Sequence, residues 1–341
     1  MHSGGCAIGT RPIDMHLKAF SDLGVDFSCS DESAGNEDRK EDDGDSLEKN
    51  ELALLHARCR SLYDNNKLIL RFPSVGATEN ILLYSAFSGR KVELYNAARE
   101  PEIVDLQIYL NKVGAEIVGA GTSHITIYGK NYTNDLINSP AECKHRIIPD
   151  RIECGTYLLA GAICGGTIEL RNIEQSCWEN LLPLMGYHST GDGVIYDSTS
   201  AKFLFAKRPF VNECITTLPF PGIPTDLQAP LMAFLCTVKG TNYIIESIFK
   251  NRTSHVDELI KMGACIKKYQ NCFVIRGQSS LYGCEVTSND LRGGAALIIA
   301  ALGAEGTTIV SDNSYIARGY TNIENKLRNI GAEISKSSAN L

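Results

Sequence analysis

A thiol, a carboxylate and four guanidiniums in this sequence have the types needed to handle protons and anions. Cys6 stands in a glycine-flanked loop, Gly4-Gly-Cys-Ala-Ile-Gly9. Glycines let a backbone bend and close over a ligand, and Arg11 nearby would favour the thiolate. As one cysteine among twelve, Cys6 has the alternative reading of an inert thiol. Asp226 follows Pro224-Thr225 at the head of a helix-like run, where a carboxylate alone reads as an N-cap. Arg11, Arg252, Arg292 and Arg318 carry planar forks that match carboxylate and phosphate geometry. A lone arginine is otherwise a solvated surface residue. Phe72-Pro73-Ser74-Val75 leads into another helix-like segment, whose opening N–H groups would favour an anion.

The elements that must carry these residues form a repeat. A helix-like apolar pattern ends in glycine five times, at Gly24, Gly114, Gly186, Gly263 and Gly331. Each is placed as a helix C′ residue, where a left-handed conformation costs glycine nothing. An extended segment follows most of them, as in Ala115-Glu-Ile-Val118 and Ala332-Glu-Ile-Ser335. Upstream lies a second pattern, a small-residue helix that runs through glycine into a β-rich stretch. Asn80–Gly89 into Val92–Tyr95 and Ala296–Gly303 into Thr307–Val310 are examples. One unit therefore reads helix, strand, helix, strand, strand over roughly 70 residues. Arg99-Glu-Pro-Glu102 supplies acids and a proline for a first helical turn. Two repeat ends fall in 1–148 and three in 149–341, which sets the expected two domains. The first repeat shows only its second helix, near residues 14–23. On that count the chain is expected to lack on the order of a hundred N-terminal residues.

Composition narrows the function further. The chain has 341 residues, long enough for two domains, with 43% hydrophobic and 21% charged residues. The net charge of −7 sits in residues 31–51, which hold ten acids and three bases. That segment has no apolar face and reads as a solvated, disordered loop insertion. The remainder is neutral, so no basic nucleic-acid footprint exists. No apolar run is long enough for a membrane span, and no secretion signal opens the chain. The cysteines form no C-x-x-C pair and no zinc site is expected. Cys164 and Cys236 lie in apolar runs and read as small core residues. A reducing cytoplasm is the expected location.

Five motifs point one way. They are Gly4-Gly-Cys-Ala-Ile-Gly-Thr-Arg-Pro-Ile-Asp-Met-His16, Pro73-Ser-Val-Gly-Ala-Thr78, Asn96-Ala-Ala-Arg-Glu-Pro-Glu-Ile-Val-Asp105, Pro224-Thr-Asp-Leu-Gln-Ala229, and Asp290-Leu-Arg292 with Arg318-Gly-Tyr320. Together they resemble the UDP-N-acetylglucosamine 1-carboxyvinyltransferase family of enolpyruvyl transferases. The resemblance covers nearly the whole chain outside the acidic segment. It implies an α/β fold, a two-domain inside-out α/β barrel built from α+β repeats, here without the first repeat and part of the second. It implies transfer of enolpyruvate from phosphoenolpyruvate to the 3-hydroxyl of UDP-N-acetylglucosamine, with release of phosphate. That reaction opens peptidoglycan synthesis. It needs no metal and no organic cofactor, and its partners are these two small molecules rather than nucleic acid or membrane.

The resemblance assigns roles residue by residue. Cys6 becomes the mobile-loop proton donor, the thiol that fosfomycin alkylates in the family. Asp226 contacts the sugar hydroxyl and takes its proton. Arg252 and Arg318 hold phosphoenolpyruvate, and Arg292 matches with a less defined role. Arg11, Pro12, Ile13, Asp14 and Met15 resemble the stretch that grips the uridine. Phe72, Pro73, Ser74 and Val75 resemble the diphosphate contact, and Ile248 a smaller nucleotide-sugar contact. Glu100, Asp150 and Arg151 either shape the cleft or form ion pairs at helix ends. Departures from the family pattern are a missing Lys-Asn pair and a missing upstream arginine, because the chain begins just before the cysteine loop. A separate chain could supply that segment. Lys250 replaces the usual glutamate, and Tyr315-Ile-Ala317 replaces a stretch with His and Asp. The alternative reading is therefore a truncated, non-catalytic homologue that binds UDP-sugar without turnover. The sister enolpyruvylshikimate-phosphate synthase shares the fold, but the Gly4–Gly9 loop argues against it.

Overall fold

The computed structural model describes residues 13–30, 54–59, 66–130, 143–187, 193–197, 199–205, 209–249, 251–277 and 280–337. Cys6, Arg11, Pro12, Lys250 and the acidic segment 31–51 lie outside them. The chain divides into two compact units at Ile148/Pro149, each with its own apolar core.

In the first unit, α1 (Asp14–Asp22) leads into β1 (Val25–Ser30), which pairs antiparallel with β2 (Leu54–Cys59). A four-stranded sheet follows, formed by β3 (Lys67–Ile69), β4 (Lys91–Tyr95), β5 (Ile117–Val118) and β6 (His124–Tyr128). Its order is β3-β4-β6-β5, with β3 parallel to β4 and β6 antiparallel to both neighbours. The helices α2 (Val75–Ser85) and α3 (Pro101–Lys112) connect these strands. The Ser74 hydroxyl caps α2 by accepting from the Ala77 N–H at 3.3 Å. Helix α3 opens on Pro101 and Glu102 and closes on Lys112, as the dipole favours. Its core is Ala77, Ile81, Leu82, Leu94, Ile103, Ile125 and Ile127, all shut from solvent.

The second unit repeats the same design. The sheet of β10 (Cys214–Thr216), β11 (Gly240–Ile245), β12 (Cys265–Tyr269) and β13 (Cys272–Gly277) runs β10-β11-β13-β12, the order and orientations seen in the first unit. Beside it in sequence, β7 (Gly166–Arg171), β8 (Val194–Asp197) and β9 (Ser200–Phe205) form a three-stranded antiparallel sheet. Short parallel pairs join β14 (Leu281–Tyr282) to β16 (Ala304–Glu305) and β15 (Glu285–Ser288) to β17 (Ile309–Asp312). Three helices pack on one another inside these strands: α4 (Arg151–Cys164), α5 (Gln228–Thr237) and α7 (Leu291–Leu302). All ten residues of α5 are buried, as are ten of α4. A helix without a polar face belongs in a core, so this unit wears its sheets outside. The amphipathic α6 (Ser254–Lys261) and α8 (Ile323–Asn329) lie further out, burying one side each.

The five repeat-end glycines all take positive φ, from +78° at Gly186 to +102° at Gly114 and Gly331. Four of them follow α-helices. The third repeat end differs from the expected helix: before Gly186 lies only a 3₁₀ turn, Pro183–Met185. Pro183 inside that run removes a backbone donor and stops a longer helix. Ala332–Ser335 also departs from expectation, for it joins no sheet; the Arg328 guanidinium instead donates to the Ile334 carbonyl. Cys236 is a core residue as expected, and burial pushes its thiol up to about 12. Cys164 is not, because it is the exposed last residue of α4.

One close approach fixes the second unit. Gly240 and Gly277 face each other across β11 and β13. A Cβ on Gly277 would sit 1.6 Å from the Val238 carbonyl oxygen, and one on Gly240 1.7 Å from that of Val211. The first unit repeats the device at Gly129, where a Cβ would meet the carbonyls of Ser85 and Arg90 at 2.4 and 2.5 Å.

Candidate active site

The site in the second unit is assembled from three chain segments that converge on Asp226. Thr225–Leu227 form a 3₁₀ turn ahead of α5. Leu227 packs against Gly155 of α4, which has no room for a side chain there. Asp226 lies inside that turn, and the N-cap positions of the turn and of α5 fall on Pro224 and Leu227, so the N-cap reading of this carboxylate does not hold. Its Oδ1 accepts from Arg252 Nη1 at 2.7 Å, and its Oδ2 from Arg292 Nη2 at 3.2 Å. Arg252 comes from the loop after β11, and Arg292 from the first turn of α7. The two arginine side chains are 6% and 11% exposed, against 35% for Asp226. The carboxylate is thus the accessible member of the cluster, backed by two positive charges.

Aromatic faces and caps hold the guanidiniums. Arg252 lies 5.0 Å over the Phe249 ring and Arg292 5.2 Å over the Tyr320 ring. Tyr320 is anchored by its hydroxyl, 2.9 Å from Thr156 Oγ1 on α4. Asp290 caps α7 by accepting from the N–H groups of Arg292 and Gly293, and it accepts from the Ser254 hydroxyl at 2.7 Å. Arg252 Nε and Arg292 Nε are buried without a partner among the described residues. Buried donors of this kind suit an incoming anion.

Burial acts to raise the Asp226 pKa, but the charges of Arg252 and Arg292 outweigh it. The carboxyl is held below its ordinary range and is ionised at neutral pH.

The match to known proteins is extensive. The family model for EPSP synthase (3-phosphoshikimate 1-carboxyvinyltransferase) covers residues 46–327. A UDP-N-acetylglucosamine 1-carboxyvinyltransferase of Caldanaerobacter subterraneus is 41% identical over 97% of this chain and 72% of its own length. The enzyme of that name from Finegoldia magna is 40% identical over 98% and 72%. This chain belongs to the enolpyruvyl transferase family. Solved structures agree on the fold. The enolpyruvyl transferase NikO from Streptomyces tendae superposes with a TM-score of 0.77 at 21% identity, covering 97% of this chain and 74% of its own. EPSP synthase from Acinetobacter baumannii follows at 0.62 and 14%, covering 98% and 74%.

Within this enolpyruvyl transferase, Arg318 is exposed at the end of a 3₁₀ turn, two residues before Tyr320. Ile248 is half-buried, and its N–H donates to Glu246. In the first unit, Ile13 precedes α1, Asp14 opens it, and Met15 packs on the core. Asp14 is ion-paired with Arg71, directly before Phe72-Pro73-Ser74-Val75. Two stretches far apart in sequence therefore meet, with the capped N-terminus of α2 beside them. Asp150 is the N-cap of α4, accepting from Ile152 and Glu153 N–H. Glu100 is buried at the start of α3.

The sequence reading missed Glu246 and His255. Glu246 follows the alternating strand β11 as a buried charge, a signal that strand periodicity alone does not flag. His255, on α6 beside Ser254, is buried, and neither ring nitrogen has a partner among the described residues. Burial first, with the Arg252 and Lys268 charges, pushes its pKa down to about 4, against an opposing pull from Asp290. A histidine depressed from 6.5 in this way stabilises the fold fully above about pH 6.5. That contribution is lost as the pH falls toward 4, where the unfolded chain binds the extra proton. The thermal midpoint should therefore drop over this interval, and drop less in His255→Leu. Melting curves of both proteins between pH 7 and pH 4 check this, and parallel pH dependences would remove His255 as the cause.

Proposed function

We propose that this chain transfers the enolpyruvyl group of phosphoenolpyruvate to the 3-hydroxyl of UDP-N-acetylglucosamine and releases phosphate, the first committed step of peptidoglycan synthesis. The observation that carries the proposal is the Asp226 carboxylate held between two nearly buried guanidiniums, in a chain about 40% identical to relatives named for that reaction. Binding without turnover is the less favoured reading, because those relatives are named transferases over nearly the whole chain.

In this reading Arg252, Arg292 and Arg318 receive the phosphate and carboxylate of phosphoenolpyruvate. The ligand's anions then share donors that otherwise serve Asp226. As the two positive charges are taken up, the carboxylate loses what depresses its pKa, and its proton affinity rises when the sugar hydroxyl arrives. Asp226 accepts the hydroxyl proton while the oxygen bonds to the enol carbon bearing the phosphate. Cys6 protonates the neighbouring methylene carbon. Elimination returns that methyl proton to Cys6 as the carbon–oxygen bond to phosphate breaks, and the proton held by Asp226 leaves with the phosphate, which restores both groups. The Arg11–Met15 stretch serves the uridine, with Ile248 as a lesser contact. Phe72–Val75 serves the diphosphate, which the N-terminus of α2 suits electrostatically.

The test is phosphate release by the purified chain given both substrates, beside Cys6→Ala. Release that falls at least a hundredfold in the variant, the scale of a lost general acid, is the expected result. Equal release from both proteins would remove Cys6 from the reaction, and no release by either would overturn the transferase reading. A second chain contributing to the site would show as turnover that appears only on its addition. Among the described residues no helix is long and apolar enough to cross a membrane.

A further inference from the structure

Glu246 is buried, and among the described residues its carboxylate oxygens accept only from hydroxyl and backbone N–H groups. Its Oε1 accepts from the Thr217 hydroxyl at 2.9 Å and from the N–H groups of Ile248 and Phe249 at 2.8 and 3.0 Å. Its Oε2 accepts from the Thr225 hydroxyl at 2.9 Å. Four donors from three segments thus close on one carboxylate, which is the number an ionised carboxylate can satisfy. The Thr217 hydroxyl in turn accepts from the Ser247 N–H, and the Ser247 hydroxyl donates to the Thr217 carbonyl.

The consequence falls on the next residue. With its proton committed to Glu246, Thr225 Oγ1 presents lone pairs, and Arg252 Nη1 donates to it at 2.9 Å. The same Nη1 donates to Asp226 Oδ1. The loop that carries Arg252 is itself pinned to Glu246 through Ile248 and Phe249, and Phe249 lies under the Arg252 guanidinium.

We infer that Glu246 is a positioning residue of this site, which orients Thr225 so that Arg252 is aimed at Asp226 and at the anion that replaces it. The inference rests on the transferase reading for its kinetic consequences but not for its geometry.

Two substitutions separate aim from charge. Glu246→Gln keeps the shape but has one acceptor oxygen in place of two. The backbone N–H pair claims that oxygen, and the amide N–H then turns the Thr225 hydroxyl proton toward Arg252. Thr225→Val removes the relay and leaves every charge in place. Facing Asp226 are Arg252 from the loop and Arg292 from α7, with Tyr320 beyond Arg292. Removing the negative charge of Glu246 would by itself lower the Asp226 titration midpoint. Loss of aim weakens the Arg252 contact and raises it. The midpoint, followed by carbon NMR of aspartate-labelled protein, is expected to rise by about one pH unit in both variants. Thr225→Ser should restore the wild-type value.

Turnover should fall on the order of tenfold in kcat, as displaced groups near a reacting centre do, with KM for the nucleotide sugar unchanged. The double variant should be no worse than the poorer single one. A midpoint that falls or stays in Glu246→Gln, or additive losses in the double variant, would overturn the inference. Should the wild-type chain release no phosphate, the transferase reading fails while the titration still decides the role of Glu246.

Discussion

Asp226→Asn is expected to release phosphate about a thousandfold more slowly than the wild type, the scale of a lost proton acceptor, while binding anions at least as well. Both halves follow from the same geometry. In the proposed reaction the carboxylate takes the hydroxyl proton, and an amide cannot take one. It is also an internal competitor, for its two oxygens occupy the N–H groups of Arg252 and Arg292 that an anion would use. Neutralising it leaves two adjacent, nearly buried guanidiniums, and an incoming phosphate or carboxylate relieves their repulsion. Steady-state phosphate release and calorimetric titration with inorganic phosphate read the two effects separately. Turnover within tenfold of wild type would exclude Asp226 as the acceptor. Weaker phosphate binding would mean that the carboxylate organises the arginines rather than competes for them.

The largest effect on stability is expected at the glycine pair of the second unit. Gly277→Ala puts a methyl group where the Val238 carbonyl oxygen and the end of α5 already are. The obstacle is backbone, so no rotamer change relieves it, and α5 is packed against α4 and α7. A loss of at least about 3 kcal/mol is expected, the upper range for overpacking. In a unit of this size that lowers the thermal midpoint by roughly 6–12 °C. Gly240→Ala should be worse, since its φ of +136° adds backbone strain to a similar clash. Gly331→Ala is the control. Its φ is +102° but nothing lies within 4 Å, so it should cost about 1 kcal/mol from conformation alone. Equal midpoints for Gly277→Ala and Gly331→Ala would show that α5 can move away from its sheet.

Local rules were legible and distant bonds were not. A helix-stop glycine obeys a preference set by its own φ, and five such residues mark the repeats in the sequence itself. Pro183 shows the limit of that pattern, because a proline inside a short run leaves only a turn ahead of the same glycine. Asp226 was ambiguous from its surroundings, since Pro-Thr-Asp before a helix describes a cap equally well. What decides its use is Arg252 and Arg292, 26 and 66 residues away. Glu246 was invisible for the same reason: its side-chain partners Thr225 and Thr217 lie 21 and 29 residues back. Nothing in spacing announces that three segments will share one carboxylate. Cys164 was misread because an apolar run predicts burial on average, and the last residue of a helix can leave the core even when its neighbours stay.

A helix with no side that tolerates water also has a history during synthesis. Helix α4 is complete at Cys164, yet the last of its inner neighbours is not finished until Leu302, about 140 residues later. At the usual pace of 5–20 residues per second the ribosome needs roughly seven to thirty seconds to cover that distance. Throughout that interval Tyr157–Ile163, and then Leu231–Cys236, are emerged segments with no finished place to hide. The nascent second unit thus holds apolar segments unburied for that time, and its yield in the cell is expected to depend on translation speed and temperature more than the melting point of the finished molecule would suggest.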